Sequence, residues 1–252
     1  MTSVDLLILF FAAAAAGAVN AIAGGGTLIS FPALLALGVP PIAANVTNAV
    51  ALCPGYLGAT LAQRHNVESQ GTRFWVFILA ALLGGVLGAL ILIRTRERTF
   101  MALVPYMLFL ASSLLAIQDH VRAFVVRKAS TRNHSLLAIG AATVMLASVY
   151  GGFFSAGMSV ILLAVVALTI DDSFTRLNAL KQVLAFAVNV AAAIFFLFSG
   201  RVLWVVAAVM ALGALAGGAL GGRIAGRLKP SVLRWTVVSI GFALAIYYWV
   251  NG

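Results

Sequence analysis

Long apolar runs recur along the whole chain and leave no stretch between them long enough for a water-soluble domain. Hydrophobic residues make up 63% of the 252 residues, charged residues make up 9%, and the mean hydropathy is +1.11. A soluble domain of this size could not carry such a composition on its surface, whereas a helix of about 20 apolar residues can cross a bilayer. The sequence therefore predicts an all-α integral membrane protein with a single membrane domain.

The apolar segments follow one another in an order that occurs twice: one long, one short and three long. A shift of 133 residues places Gly24 on Gly157, Asn45 on Asn178 and Arg94 on Arg227 without a gap. This duplication predicts two repeats of about five helical segments, at 1–117 and 135–252, joined by a basic connecting loop at 118–134. The segments are 6–22, 28–38, 43–62, 74–93 and 100–117, then 136–150, 160–170, 174–198, 202–222 and 232–250.

Each repeat starts with a helix that is predicted to break before the short segment, at 23–27 (the first break) and within 151–159 (the second break). Gly24, Gly25 and Gly26 follow one another in the first break, and each glycine costs a helix about 1 kcal/mol relative to alanine. Irregular backbone is tolerated in hydrocarbon only where protein buries it or where it lines a polar cavity. Each repeat therefore begins with a broken or re-entrant hairpin whose break is a candidate binding site.

Glycine has an alternative role in membrane helices, because it allows two helices to pack closely. This role is the alternative for the two breaks. It is the preferred interpretation for Gly84, Gly85 and Gly88 and for the glycines of 202–222, which lie inside otherwise regular apolar segments.

The basic residues divide unequally between the two faces of the membrane. If each short segment forms a hairpin with its predecessor, eleven Lys and Arg residues lie on one face and four on the other. The positive-inside rule then places the larger group in the cytoplasm and both termini outside. Each repeat has an odd number of net crossings, so the two repeats are inverted, as in many secondary transporters. The larger group is Arg64, Arg73, Arg122, Arg127, Lys128, Arg132, Arg176, Arg223, Arg227, Lys229 and Arg234, and the smaller is Arg94, Arg96, Arg98 and Arg201.

A new helix begins after each break, near Thr27 and near Ser159, with its first N–H groups unpaired. Such a helix end carries roughly half a positive charge and binds anions. Hydroxyl and amide side chains lie beside both ends. The anion ligands predicted at the breaks are Asn20, Gly24, Gly25, Gly26, Thr27, Ser155, Gly157 and Ser159.

The long segment after each short one carries a polar stripe, because positions three or four apart share a helix face. Lys181 lies about 11 Å inside its segment at 1.5 Å per residue, and an ionisable group at that depth is a functional-site hypothesis. The alternative is a lysine that snorkels to the cytoplasmic interface. The stripes are Asn45, Thr47 and Asn48, and Asn178, Lys181 and Gln182; all but Thr47 complete the predicted substrate site.

The residue pattern argues against several other functions. Cys53 is the only cysteine, no Asp or Glu lies inside an apolar segment, and the three histidines lack metal-ligand spacing. No nucleophile lies beside a base, and no Walker-type loop is present. We therefore predict no catalytic residue, metal or cofactor. The basic residues flank apolar segments, which favours a topological role and contact with membrane lipid over nucleic-acid binding.

Four stretches carry a resemblance to a known family. They are AGGGTLISFPALLALGVPP at 23–41, NVTNAV at 45–50, GGFFSAGMSVILL at 151–163 and LNALKQVLAFAVN at 177–189. With them, nearly the whole chain resembles the TauE/SafE family of sulfite exporters. The resemblance implies a permease of the bacterial inner membrane that exports sulfite or a related small sulfur-containing anion, such as an organosulfonate. The second break reads SAGMS where the first has three glycines, so the two half-sites need not contribute equally.

Together, the residues and the resemblance predict a secondary transporter that works by alternating access, with the anion held at the two breaks near mid-membrane. Helix N-termini, hydroxyls, amides and one lysine are all donors, which is what a small oxyanion requires. The alternatives are an anion channel and a membrane-embedded enzyme acting on a lipid or an anionic head group. A homodimer is compatible with the sequence, which leaves the identity of the anion and the driving force open.

Overall fold

The computed structural model describes residues 1–22, 25–62, 71–128, 137–170, 172–224 and 230–251, and these residues are almost entirely α-helical. Each of the ten predicted segments coincides with a helix, which confirms the predicted all-α fold. The helices are α1 (Ser3–Ile22), α2 (Thr27–Ala36), α3 (Pro41–Ala62), α4 (Gly71–Arg94), α5 (Glu97–Ala116), α6 (Gln118–Lys128), α7 (Leu137–Phe153), α8 (Met158–Thr169), α9 (Phe174–Leu197), α10 (Trp204–Ile224) and α11 (Pro230–Asn251).

Six of the described helices, α1, α4, α5, α9, α10 and α11, are long and apolar enough to cross a membrane. Helices α2, α7 and α8 are apolar but shorter. Large apolar side chains such as Trp75, Leu146 and Val205 are exposed on the outside of the bundle. Contiguous exposed apolar surface of this kind is suited to hydrocarbon rather than to water, as expected for a multi-pass membrane protein.

Helix α6 occupies 118–128, the first part of the loop predicted at 118–134, and corrects that part of the prediction; 129–134 lies outside the described residues. It follows α5 directly and has Asp119 in its first turn, where a carboxylate interacts favourably with the helix dipole. Both terminal nitrogens of the buried Arg234 guanidinium group, near the start of α11, donate to the Asp119 carboxylate. Val121 packs against the core formed by α4, α7, α8 and α9. These tertiary contacts stabilise a helix whose polar sequence resembles that of a loop.

Helices from the first half of the chain pack along helices from the second half. Helix α1 lies along α10, and α4 lies along α7, and in both pairs the two helices run in the same direction. A β-carbon at Gly217 would overlap the Ala14 carbonyl group. Close packing is therefore confirmed for Gly84, Gly85 and Gly88 of α4 and for Gly213, Gly217 and Gly221 of α10, but not for Gly218, whose β-carbon would meet nothing closer than 3.8 Å. In these two pairs the contacts are Gly213 on Phe10, Gly217 on Ala14 and Gly221 on Ala18, and Gly84 on Met145 and Gly88 on Val149; Gly85 meets Gly152 of α7 and Val188 of α9.

Two further helix pairs between the halves, α3–α9 and α5–α11, are antiparallel. In the α3–α9 pair, the Thr60 hydroxyl near the end of α3 donates to the carbonyl of Gln182 near the start of α9 (3.4 Å). In the α5–α11 pair, ring contacts join Tyr106 to Trp249 and Phe109 to Phe242, with centroids 4.7 and 5.2 Å apart.

The halves also begin their long helices at matching positions. Helices α3, α4 and α5 begin at Pro41, Gly71 and Glu97, and α9, α10 and α11 each begin 133 residues later. The order of the elements is therefore the same in both halves.

Candidate functional site

Both predicted breaks are present, between α1 and α2 and between α7 and α8. In the first break, Gly25 has φ +89°, a left-handed conformation that glycine adopts without steric cost, and Gly24 lies outside the described residues. In the second break, Gly157 has φ +77° and precedes the first residue of α8.

The second break is shorter than the sequence predicts. Helix α7 continues through Gly151 and Gly152 and ends at Phe153, so only 154–157 is irregular. A β-carbon at Gly152 would overlap the Gly85 carbonyl group, and one at Gly151 would overlap the Met158 side chain. These two glycines allow close packing without breaking the helix, because tertiary contacts outweigh their low helix propensity.

The two breaks meet inside the bundle. The hydroxyl oxygens of Thr27 and Ser155 are 3.3 Å apart, although the residues are separated by 128 positions in the sequence. Thr27 is buried and Ser155 is half-buried. The first turn of α2 therefore lies beside the loop that leads into α8.

At the first break, some of the backbone N–H groups already donate hydrogen bonds within the protein. The Asn20 side-chain carbonyl accepts the Gly26 N–H (2.8 Å), and the Leu28 N–H donates to the Gly25 carbonyl (3.0 Å). Within the described residues, the Gly25 and Thr27 N–H groups have no acceptor. The side-chain oxygen of Asn20, which is predicted to be an anion ligand, is therefore paired with the protein backbone in this structure.

At the second break, the backbone carbonyl groups accept hydrogen bonds, whereas most backbone N–H groups have no acceptor. The Asn45 amide donates to the Phe153 carbonyl and the Tyr150 hydroxyl donates to the Ala156 carbonyl, both at 2.8 Å. The carbonyls of Ser155 and Gly157 accept N–H groups from the first turn of α8. In the described part of the chain, no acceptor is present for the N–H groups of Ser155, Ala156, Gly157 and Ser159.

Asn48 is the least satisfied polar side chain near these breaks. It is 0% exposed, and neither its amide nitrogen nor its amide oxygen has a partner among the described residues. Asn45 and Asn48 are one turn apart on α3 and share a face, and Asn45 reaches the end of α7. A buried unpaired polar group costs about 1–3 kcal/mol, so a bound polar ligand or water at this face would be stabilising.

One turn of α5 packs against both left-handed glycines. A β-carbon at Gly25 would lie 2.8 Å from the Leu115 side chain, and one at Gly157 would lie 3.1 Å from the Ala111 backbone. Side chains at either glycine would therefore collide with α5, which lies directly behind both breaks.

The polar stripe of α9 lies at another level of the bundle. Asn178, Lys181 and Gln182 are half-buried, and within the described residues the Lys181 amine has no hydrogen-bond or ion-pair partner. Gln182 contacts Thr60, which follows Asn48 on α3 by twelve residues, about 18 Å. The structure therefore brings Asn45 to the second break but does not bring Lys181 to Asn48.

Comparison with known proteins identifies the family. A family model described as sulfite exporter TauE/SafE matches residues 9–248. The chain belongs to the TauE/SafE sulfite exporter family. A probable membrane transporter protein of Haemophilus influenzae is 29% identical over 248 residues, which cover 96% of this chain and 93% of that protein. No solved structure matches the chain.

Two further relatives of this TauE/SafE chain bear the same kind of name. Probable membrane transporter protein ORF9 of Sinorhizobium sp is 31% identical over 247 residues, covering 96% of this chain and 91% of the relative. Probable membrane transporter protein YfcA of Escherichia coli K12 is 27% identical over 246 residues, covering 94% and 87%. The family and these relatives agree on a membrane transporter, and the names of the relatives do not specify an anion.

Sequence reasoning missed Tyr150 as part of the candidate site of this TauE/SafE transporter. A tyrosine in an apolar helix needs a partner for its hydroxyl group, and this was the available signal. Thr47 lies on the polar stripe of α3 and carries no predicted role; its hydroxyl accepts the N–H of Leu203 (3.1 Å), which lies between α9 and α10.

Proposed function

We propose that this TauE/SafE protein is a secondary transporter that exports sulfite or a related small sulfur-containing anion, such as an organosulfonate. The anion binds near mid-membrane, where the two breaks meet. The observation that carries this proposal is the contact between the Thr27 and Ser155 hydroxyls, because it brings two helix N-termini from opposite halves of the chain together.

The chemistry of the meeting point favours an anion. Free N–H groups, two hydroxyls and the unpaired Asn48 amide offer hydrogen-bond donors, and two helix dipoles add partial positive charge. The acidic residues of the described part, Asp5, Glu97, Asp119 and Asp172, all lie at or just before helix N-termini, away from the breaks. A cation site would need such acceptors at its centre.

The proposed mechanism is alternating access between two inverted halves, 1–117 and 135–252, joined by 118–134. A two-fold axis in the membrane plane would make equivalent helices antiparallel, and α3–α9 and α5–α11 are antiparallel pairs. The same axis would exchange the α1–α10 pair with the α4–α7 pair, and both pairs use glycines at close contacts. These packing relations support the inverted arrangement.

The proposed orientation has both termini in the periplasm of a bacterial inner membrane, and two ion pairs support the division of the connecting segments between two faces on which it depends. Arg201 and Glu97 (3.0 Å) both belong to the loops assigned to the outer face. Arg234 and Asp119 both belong to the segments assigned to the cytoplasmic face. Charges that pair in the structure are therefore assigned to the same side.

The test uses the purified full chain in two assays. A thermal-shift panel of sulfite, sulfate, thiosulfate, sulfoacetate and taurine should identify the anion, because a ligand of the folded state raises its apparent stability. Liposomes preloaded with that anion should then show saturable uptake of labelled anion by counterflow. Large single-channel currents without counterflow would indicate an anion channel instead. No shift and no uptake with all five compounds would refute the substrate class.

A further inference from the structure

Each break is held by a side chain from the preceding helix, but the two contacts have opposite chemistry. In the first break, the Asn20 oxygen accepts the Gly26 N–H. In the second break, the Tyr150 hydroxyl donates to the Ala156 carbonyl. Each contact spans six residues and has a length of 2.8 Å. The first contact therefore pairs a backbone N–H donor, which is then not available to an anion. The second contact pairs a backbone carbonyl acceptor and leaves the N–H donors free.

Because of this difference, the two breaks differ in how many backbone N–H groups remain unpaired. Among the described residues, which do not include 23 and 24 of the first break, two N–H groups are free there, those of Gly25 and Thr27. Four are free at the second break, between Ser155 and Ser159, and the carbonyls of Ser155, Ala156 and Gly157 all accept hydrogen bonds. Successive free N–H groups around a left-handed residue form a concave anion-binding surface.

We propose that the second break is the dominant half of the anion site and that Tyr150 is the positioning residue that makes it so. This inference rests on the proposed function, because it assumes that the transported anion binds where the breaks meet. Ala156 is only 1% exposed. Without the tyrosine hydroxyl, its carbonyl would be a buried, unpaired acceptor beside the anion, and it would repel negative charge or turn the loop away from its present conformation.

Asn48 points to a ligand at this break independently of the backbone. Its amide is fully buried without a partner, on the face of α3 from which Asn45 reaches the Phe153 carbonyl. On the described part of α1, which carries Asn20, no buried side-chain amide lacks a hydrogen-bond partner. A polar ligand at the second break would give the Asn48 amide the hydrogen bonds that it lacks.

The direct test is Tyr150→Phe, which removes only the hydroxyl, with Tyr248→Phe on α11 as the matched control. Sulfite binding to the purified chain is measured by tryptophan fluorescence, and the melting temperature is measured without sulfite. We expect Tyr150→Phe to raise the Kd for sulfite about tenfold, the effect of about 1.4 kcal/mol, and Tyr248→Phe to leave it unchanged. A purely structural tyrosine would lower the melting temperature and leave the Kd unchanged, which would overturn the proposal.

A second comparison decides the matter if Tyr150→Phe does not fold. Ser155→Ala and Thr27→Val each remove one hydroxyl and abolish the same mutual contact. A dominant second break predicts a larger rise in the sulfite Kd for Ser155→Ala. Equal effects, or a larger effect of Thr27→Val, would refute the dominance and leave the proposed function intact. If neither variant changes the Kd, sulfite binds elsewhere, and the meeting point of the breaks is not the anion site of the proposed function.

Discussion

The first and second breaks interrupt corresponding helices by different means. The first relies on consecutive glycines and on an asparagine that accepts a backbone N–H, and the second has one left-handed glycine and a tyrosine that donates to a backbone carbonyl. Similar backbone irregularity therefore does not require similar sequence. What distinguishes the breaks is which backbone groups remain free, and in membrane interiors the free groups define what can bind.

The largest expected effect comes from filling the left-handed positions. We predict that Gly25→Leu and Gly157→Leu each abolish sulfite counterflow, because a side chain there is strained and collides with α5. Gly38→Leu is the control, since Gly38 also has a positive φ but open space around it. Size-exclusion chromatography checks that each variant remains folded. Normal transport by Gly157→Leu would show that the second break is only a packing device.

Substitution of Lys181 provides the next test, because it shows whether the anion site extends beyond the two breaks. In this structure Lys181 lies at another level of the bundle from the breaks, so an effect on affinity requires that the anion contacts it in a second conformation of the transport cycle. On that basis we predict that Lys181→Met raises the sulfite Kd at least about tenfold and that Lys181→Arg retains part of the affinity. Calorimetric titration of both variants measures the effect. An unchanged Kd in Lys181→Met would mean that the lysine snorkels to the interface and that the breaks form the whole site.

Asn20 tests the other side of the comparison. Asn20→Asp keeps an acceptor for the Gly26 N–H but adds a negative charge at the first break, so we predict a several-fold rise in the sulfite Kd from like-charge repulsion. Asn20→Ala frees the Gly26 N–H and should change the Kd less. Measuring the sulfite Kd of both variants distinguishes the effect of the added charge from the effect of losing the hydrogen bond to Gly26. If the aspartate has no effect, the first break lies outside the range of the anion.

The smallest expected effect concerns the packing of α10 against α1, the helix that leads into the first break. Gly217→Ala should destabilise the protein by about 1–3 kcal/mol, because its β-carbon would overlap the Ala14 carbonyl group. The neighbouring Gly218→Ala meets nothing closer than 3.8 Å, and should be neutral or stabilising by up to about 1 kcal/mol. Thermal unfolding measures both. Equal destabilisation would mean that the α1–α10 contact is looser than its glycines indicate.

The helices could be predicted from sequence because a long apolar run in a membrane has few alternatives to a helix. The first break followed from three adjacent glycines, each costly to a helix. The extent of the second break did not, because Gly151 and Gly152 remain helical through contacts with other elements. Helix α6 depends on Arg234, which is far away in the sequence. Hydrogen bonds such as those of Tyr150 and Thr27 depend on tertiary placement, which no local pattern specifies.

Helix α5 connects one face of the membrane to both breaks. Its first residue, Glu97, accepts hydrogen bonds from the Ile42 N–H and from Arg201, which ties it to α3 and to the second half of the chain. About 21 Å further along this helix, beyond Pro105, the turn that begins at Ala111 lies behind Gly157 and Gly25. A displacement of the Glu97 end of α5 would therefore be expected to shift the residues that pack behind both breaks, so that one ion pair is coupled to both at once.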